Sequence, residues 1–259
     1  MAQLSRGYAQ TLDANLAQAG YADRALRRRV VAESGKMVLE WAWVWSRSHT
    51  QLMAHVQYPG AAAVAQTALA QKKGVIFLTP HLGCFEVTAQ GYAAVMGPIT
   101  VLYSPPKLPW LQEMIDSGRN KHNVTLAPAT LAGVRMLMRA LKNGEAVGIL
   151  PDQTPRDGEG LWAPFFGKPA YTMTLVARLH QLFGAPIVLA FGERLADGAG
   201  FKVRAVPFNE ALSADPLAAT TQLNRAVEDL IRTCPEQYLW GYNRYKAPKG
   251  VQTHENGEP

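Results

Sequence analysis

At 259 residues the chain fits one α/β domain, and 48% apolar with 18% charged residues supply a packed core, which excludes a largely disordered protein. A net charge of +6 calls for an anionic partner: nucleic acid, a phospholipid surface, a phosphorylated glycolipid or an acidic carrier protein. Two cysteines, Cys84 and Cys234, without paired metal-ligand spacing argue against a disulfide framework, and no apolar run reaches the roughly 18 residues that span a bilayer.

Residues 3–19 and 21–48 carry helical periodicity, the second with Arg24, Arg27, Arg28 and Arg29 near its start and Met37, Trp41, Val44 and Trp45 on one stripe. Arginines beside clustered tryptophans suit a membrane interface, where cations meet lipid phosphates and indoles sit at headgroup depth. A solvated charged turn followed by core tryptophans has the same pattern, so both readings stand. From residue 61 helix and strand alternate: helix 61–72, strand 75–79, helix 85–96, strand 100–103, helix 109–122, short strand 124–127, helix 130–142 and strand 146–150. A long loop to 171, helix 172–183, strands 186–193 and 201–206, and helix 215–233 complete the pattern, and residues 247–259 read as a loose tail. Such alternation predicts an α/β fold with a mostly parallel central sheet flanked by helices, preceded by N-terminal helices and forming one domain over 1–246. The loops after strands 75–79, 100–103 and 146–150 then share one edge, gathering His81, Glu86, Tyr103, Lys107, Asp152 and Gln153.

The stretch His81-Leu82-Gly83-Cys84-Phe85-Glu86 follows the apolar run Val75-Ile76-Phe77-Leu78-Thr79, which Pro80 ends. Five residues along a continuous helix would turn Glu86 about 140° away from His81, so the two meet only if His81 lies in the turn and Glu86 in the helix. An imidazole steadied by a carboxylate is a general base suited to deprotonating an alcohol. A histidine that caps the strand and bonds locally is the competing account. Cys84 is read as a small buried thiol rather than a nucleophile. No Gly-x-Ser-x-Gly elbow occurs, and His49, His55 and His81 lack the usual metal-ligand spacing.

The His-x4-Glu pattern resembles the signature of the glycerolipid acyltransferase superfamily. Further blocks narrow the resemblance to the bacterial lipid A (lauroyl/myristoyl) late acyltransferases: Val101 to Lys107, Arg119, Ile149-Leu150-Pro151-Asp152-Gln153, Trp162 to Thr172, Pro235 to Trp240, and Asn243 to Lys246. They follow in family order across about residues 10–246. The resemblance implies that His81 takes a proton from an acceptor hydroxyl, that Glu86 orients His81, and that amides near Gly83 or Cys84 stabilise the oxyanion. Arg119, Asp152, Gln153 and Lys107 are then substrate-binding, and Phe165 and Phe166 line an acyl groove or pack in the core. It further implies an acyl carrier protein as donor, a lipid A precursor as acceptor, the cytoplasmic face of the inner membrane as location, and neither metal nor organic cofactor. Relatives usually begin with a hydrophobic anchor, which is not seen in this sequence, so the expectation is either a truncated start or peripheral attachment. A lysophospholipid acyltransferase is the nearest rival. A nonenzymatic basic protein binding membrane or nucleic acid is the rival of another class, although no nucleic-acid module is recognisable.

Overall fold

The computed structural model describes residues 6–104, 112, 118, 119, 121 and 123–251. Helices α1 (Arg6–Gln18), α2 (Arg24–Ser46) and α3 (His49–Met53) come first, followed by β1 (Val56–Gln57) and α4 (Pro59–Leu69). Next are β2 (Val75–Leu78), α5 (Glu86–Val95), β3 (Ile99–Tyr103), β4 (Val124–Pro128), α6 (Leu131–Lys142) and β5 (Ala146–Ile149). The chain continues through β6 (Gly160–Phe165), β7 (Lys168–Met173), α7 (Leu175–Phe183), β8 (Ile187–Arg194), β9 (Phe201–Pro207) and α8 (Pro216–Thr233). Side-chain oxygens set the starts of several helices. Asp23 accepts from the amides of Ala25 and Leu26 at α2, and Asp215 accepts from Ala218 at α8.

Seven strands form one sheet in the order β1-β9-β8-β2-β5-β3-β4, parallel throughout except where β8 meets β9. Both β2 and β5 are buried at every position, as expected of strands covered on two faces. Two apolar cores result. One holds Ile76, Leu78, Ile149, Leu137 and Leu179 with α6, α7 and α8. The other holds Phe77, Tyr58, Tyr92, Val87 and Val203 with α4 and α5. Alternate residues of β2 serve opposite cores, which is the period-two geometry of a strand.

The structure departs from the sequence reading between 151 and 171, where a hairpin of β6 and β7 replaces the expected loop. Pro164 and Pro169 face each other in it, and the pair stands as its own two-stranded ribbon, where a proline costs no bond to a central neighbour. Phe166 (φ 47°) and Gly167 (φ 75°) turn the hairpin, the double positive φ of a tight two-residue connection. Consequently α7 begins at Leu175 rather than 172. Most of the helix expected at 109–122, and residues 252–259 of the tail, lie outside the described residues.

The segment from Pro80 to Phe85 is clamped from two sides. Gly83 donates to the Gln237 carbonyl (3.0 Å), Leu239 donates to the His81 carbonyl (3.0 Å), and Cys84 donates to the Gly192 carbonyl (2.8 Å). Gly83 has φ +60°, and a Cβ there would lie 2.1 Å from the Gly192 oxygen. Gly83→Ala is therefore expected to cost about 2 kcal/mol or more, lowering the melting midpoint by at least ~4 °C. Thermal unfolding followed by circular dichroism checks this, and an unchanged midpoint would show that the clamp yields.

Candidate active site

In the parallel pair β2–β5, Leu78 stands opposite Ile149. His81 and Asp152 each lie the same short distance beyond those partners, so the two loops deliver them to one point at the carboxyl edge of the sheet. The Asp152 carboxylate accepts from the His81 backbone amide (2.9 Å) through Oδ2, and Oδ1 lies 2.9 Å from His81 Nδ1. Asp152 is 4% exposed and His81 9%. Burial alone would raise the Asp152 pKa, but attraction to His81 when its ring is protonated, together with hydrogen bonds from the His81 ring, the His81 amide and its own amide, outweighs it and holds the carboxyl below its ordinary value. An ionised carboxylate only accepts, so in the neutral ring Nδ1 carries the proton and Nε2 the lone pair. The Gln153 side-chain amide meets that lone pair at 3.1 Å. The buried Tyr238 hydroxyl sits beside Asp152, and burial together with that charge pushes its pKa well up.

Glu86 is placed elsewhere than the sequence reading had it. Its carboxylate is 5% exposed and accepts from Arg119, whose Nε lies 3.0 Å from both oxygens and whose Nη2 also bonds Oε1. The fork-to-carboxylate match is why arginine wins this acid. Glu86 and His81 do line the same cavity, but the carboxylate at the ring is Asp152. The corresponding correction applies to Asp152, which bonds the histidine instead of standing free for substrate. The amides of Gly83 and Cys84, expected as oxyanion donors, are already spent on Gln237 and Gly192. Those of Phe85 and Glu86, opening α5, have no acceptor among the described residues.

Phe165 and Phe166 belong to the core and line no part of the cavity. They pack edge to face at 4.9 Å, Phe166 lies 5.5 Å from Trp240, and its amide donates to Glu228 on α8 (2.7 Å). The hairpin folds onto α8, which turns its aromatic tip inward. Arg244, in the closing block of the resemblance, is 2% exposed and donates to the Tyr171 carbonyl (2.7 Å) and Thr172 Oγ1 (2.5 Å). Lys107 lies outside the described residues. Cys84 is buried, and that burial raises its pKa well above the ordinary thiol value.

Sequence reasoning missed the aromatic stack behind the site. The Phe85 ring lies 4.7 Å from His81, Trp41 of α2 lies 6.2 Å from Phe85, and Trp45 stacks on Trp41 at 6.1 Å. Arg119 rests over Trp45 at 5.5 Å. Helical spacing of the tryptophans was visible, but not the surface they meet. His81, Glu86, Arg119 and Gln153 open on a cavity of about 1010 Å³ that contacts both apolar cores. Among the described residues no group of His, Cys, Asp and Glu is arranged to hold a metal ion.

The family model of the bacterial lipid A biosynthesis acyltransferases matches residues 9–247. The chain is similar to the lipid A biosynthesis palmitoleoyltransferase of Escherichia coli (strain K12), 28% identical over 231 residues, covering 85% of this chain and 72% of the relative. It is similar to the lauroyltransferase of the same organism at 27% over 237 residues, covering 87% and 74%. Its similarity to the myristoyltransferase of that organism is 22% over 206 residues, covering 78% and 62%. A match spanning the His81 and Asp152 loops, the hairpin and the closing segment places this chain in the bacterial lipid A biosynthesis acyltransferase family.

Proposed function

We propose that this protein transfers a fatty acyl chain from an acyl carrier thioester to a hydroxyl of a lipid A precursor, with His81 as general base. The observation that carries the reading is the polarised ring: Nδ1 held by Asp152 and Nε2 facing the cavity. The acceptor hydroxyl displaces the Gln153 amide from Nε2 and gives its proton to that nitrogen as its oxygen attacks the thioester carbonyl carbon. A C–O bond forms, the C–S bond breaks, and His81 returns the proton to the departing sulfur. No acyl-enzyme intermediate is needed. The displaced Gln153 amide and the Phe85 and Glu86 amides at the α5 start are the donors placed to meet the oxyanion. Glu86 acts through Arg119, holding a cation at the cavity wall for an anionic group of a substrate.

The transferred chain fits the arm of the cavity on the α5 side, among Tyr58, Phe77, Tyr92, Ile99 and Val101. Gly148 of β5 lies between Phe77 and Val101 in the sheet and leaves this arm open, since it presents no side chain. Each methylene entering it gains about 0.8 kcal/mol.

A membrane surface is the supporting partner. On α2, Arg24, Arg28 and Arg29 are exposed, and Val38 (59%) and Leu39 (74%) present bare apolar surface close in sequence to Trp41, which backs Phe85. Arg27 is occupied by Asp13 at 2.5 Å. No helix among the described residues is long and apolar enough to cross a membrane.

With acyl carrier thioester and lipid A precursor, wild type should add one acyl mass by mass spectrometry. His81→Ala and Asp152→Asn should each turn over about 10²–10⁴-fold more slowly. Equal product from wild type and His81→Ala would overturn the base assignment, and preferential labelling of an added lysophospholipid would move the acceptor class. Arg28→Gln with Arg29→Gln should weaken co-sedimentation with phosphatidylglycerol vesicles about thirtyfold, at roughly 1 kcal/mol per cation. Equal binding would reject the membrane contact.

A further inference from the structure

The cavity has a second arm that the transfer of one chain leaves unused. A cavity cannot pass through a hydrogen-bonded sheet, yet this one is lined by residues of both apolar cores, so it bends around the carboxyl edge of the strands at His81. One arm runs beneath α5 and ends against Tyr58, Phe77 and Tyr92, all under 9% exposed. The other lies between α6 and α7. Leu131, Val134 and Met138 form an i, i+3, i+7 stripe on α6, and Leu175, Leu179 and Leu182 form an i, i+4, i+7 stripe on α7.

The two arms differ at their ends. Leu131 is 67% exposed and Leu182 63%, so the α6–α7 arm opens sideways to the surface instead of closing on core residues. Its rim carries Arg178, exposed and lining the cavity, with Arg156 and Glu159 nearer the catalytic loop. Arg135 and Arg139 are exposed on α6, which adds to the positive field of this face.

On the reading of the site given above, we infer that the α6–α7 groove binds hydrocarbon chains already present on the phosphorylated acceptor lipid, while the α5 arm takes the chain being transferred. A chain arriving on a soluble thioester has to be dried completely, which calls for the closed arm. A lipid drawn partly from a bilayer keeps the far ends of its chains in lipid, which calls for a groove open along one side. Arg178 at the rim matches a phosphate on such an acceptor, and the bend at His81 brings the two ligands together where the hydroxyl must meet the thioester.

The test uses a lipid A precursor with a diazirine in an acyl chain, and separately an acyl thioester with a diazirine near its methyl end, each irradiated with the full-length protein. The acceptor probe should label residues within 131–138 and 175–182, and the thioester probe should label the segments around Tyr58, Tyr92 or Val101. Thioester labelling of α6 and α7, or acceptor labelling confined to the α5 arm, would overturn the assignment. In steady-state assays Leu131→Gln with Leu182→Gln, both exposed positions, should raise the acceptor KM about tenfold and leave the donor KM and kcat within twofold. An unchanged acceptor KM, or a rise in the donor KM instead, would contradict the groove. A wild-type protein that transfers nothing to the precursor would defeat the functional reading, while the labelling pattern would still decide which lipid occupies the groove.

Discussion

A single buried carboxylate organises this site. Asp152 would be costly to hold at 4% exposure if left alone, because an ionised group without partners loses its hydration and gains nothing in return. Two donors from one residue, the amide and ring of His81, offset that cost with charge-assisted hydrogen bonds. The same contacts that make the acid tolerable also fix the orientation and tautomer of the imidazole. Stability and the geometry of the proposed base therefore rest on the same bonds, and neither loop can shift without exposing the other's unmet need.

The rest of the molecule keeps those two loops in place. The closing segment after α8 reaches both of them: Leu239 and the Gln237 carbonyl bond the His81 loop, and the Tyr242 hydroxyl accepts from the Thr154 amide at 3.0 Å. Asn15 of α1 in turn donates to the Trp240 and Tyr242 carbonyls at 2.7 and 2.8 Å. Arg194, at the end of β8, bonds Glu33 and Glu40 and thereby ties α2 to the sheet edge. The first and last elements of the described chain are thus braces for the central crevice, and α2 brings its tryptophans to the site through that tie.

Most of the architecture was legible in the pattern of residues. The run from Val75 to Leu78 and that from Ala146 to Ile149 are too apolar to face water on either side, which announces central parallel strands. The hairpin was hidden by Pro164 and Pro169, which read as loop residues unless the strands are known to stand apart from the main sheet. Histidine's partner was hidden by the opposite difficulty. Glu86 is near in sequence, whereas Asp152 is distant and becomes a neighbour only when β2 and β5 are adjacent. The order of strands supplies that adjacency, and composition and spacing do not encode it. The equal offset of His81 and Asp152 beyond two predicted strands was nonetheless a visible signal, once those strands were considered as a pair. Phe165 and Phe166 show the limit of reading aromatics one at a time, since the hairpin decides which side of the molecule they face.

The assignment of Asp152 to the imidazole is open to direct observation. Nitrogen-15 NMR of protein labelled at histidine, near neutral pH, reports which ring nitrogen of His81 bears the proton in the neutral form. The account predicts a neutral His81 protonated at Nδ1, with Nε2 showing the shift of a lone-pair nitrogen, and loss of that preference in Asp152→Asn. A wild-type ring protonated at Nε2, or one whose tautomer follows Glu86→Gln and ignores Asp152→Asn, would contradict it.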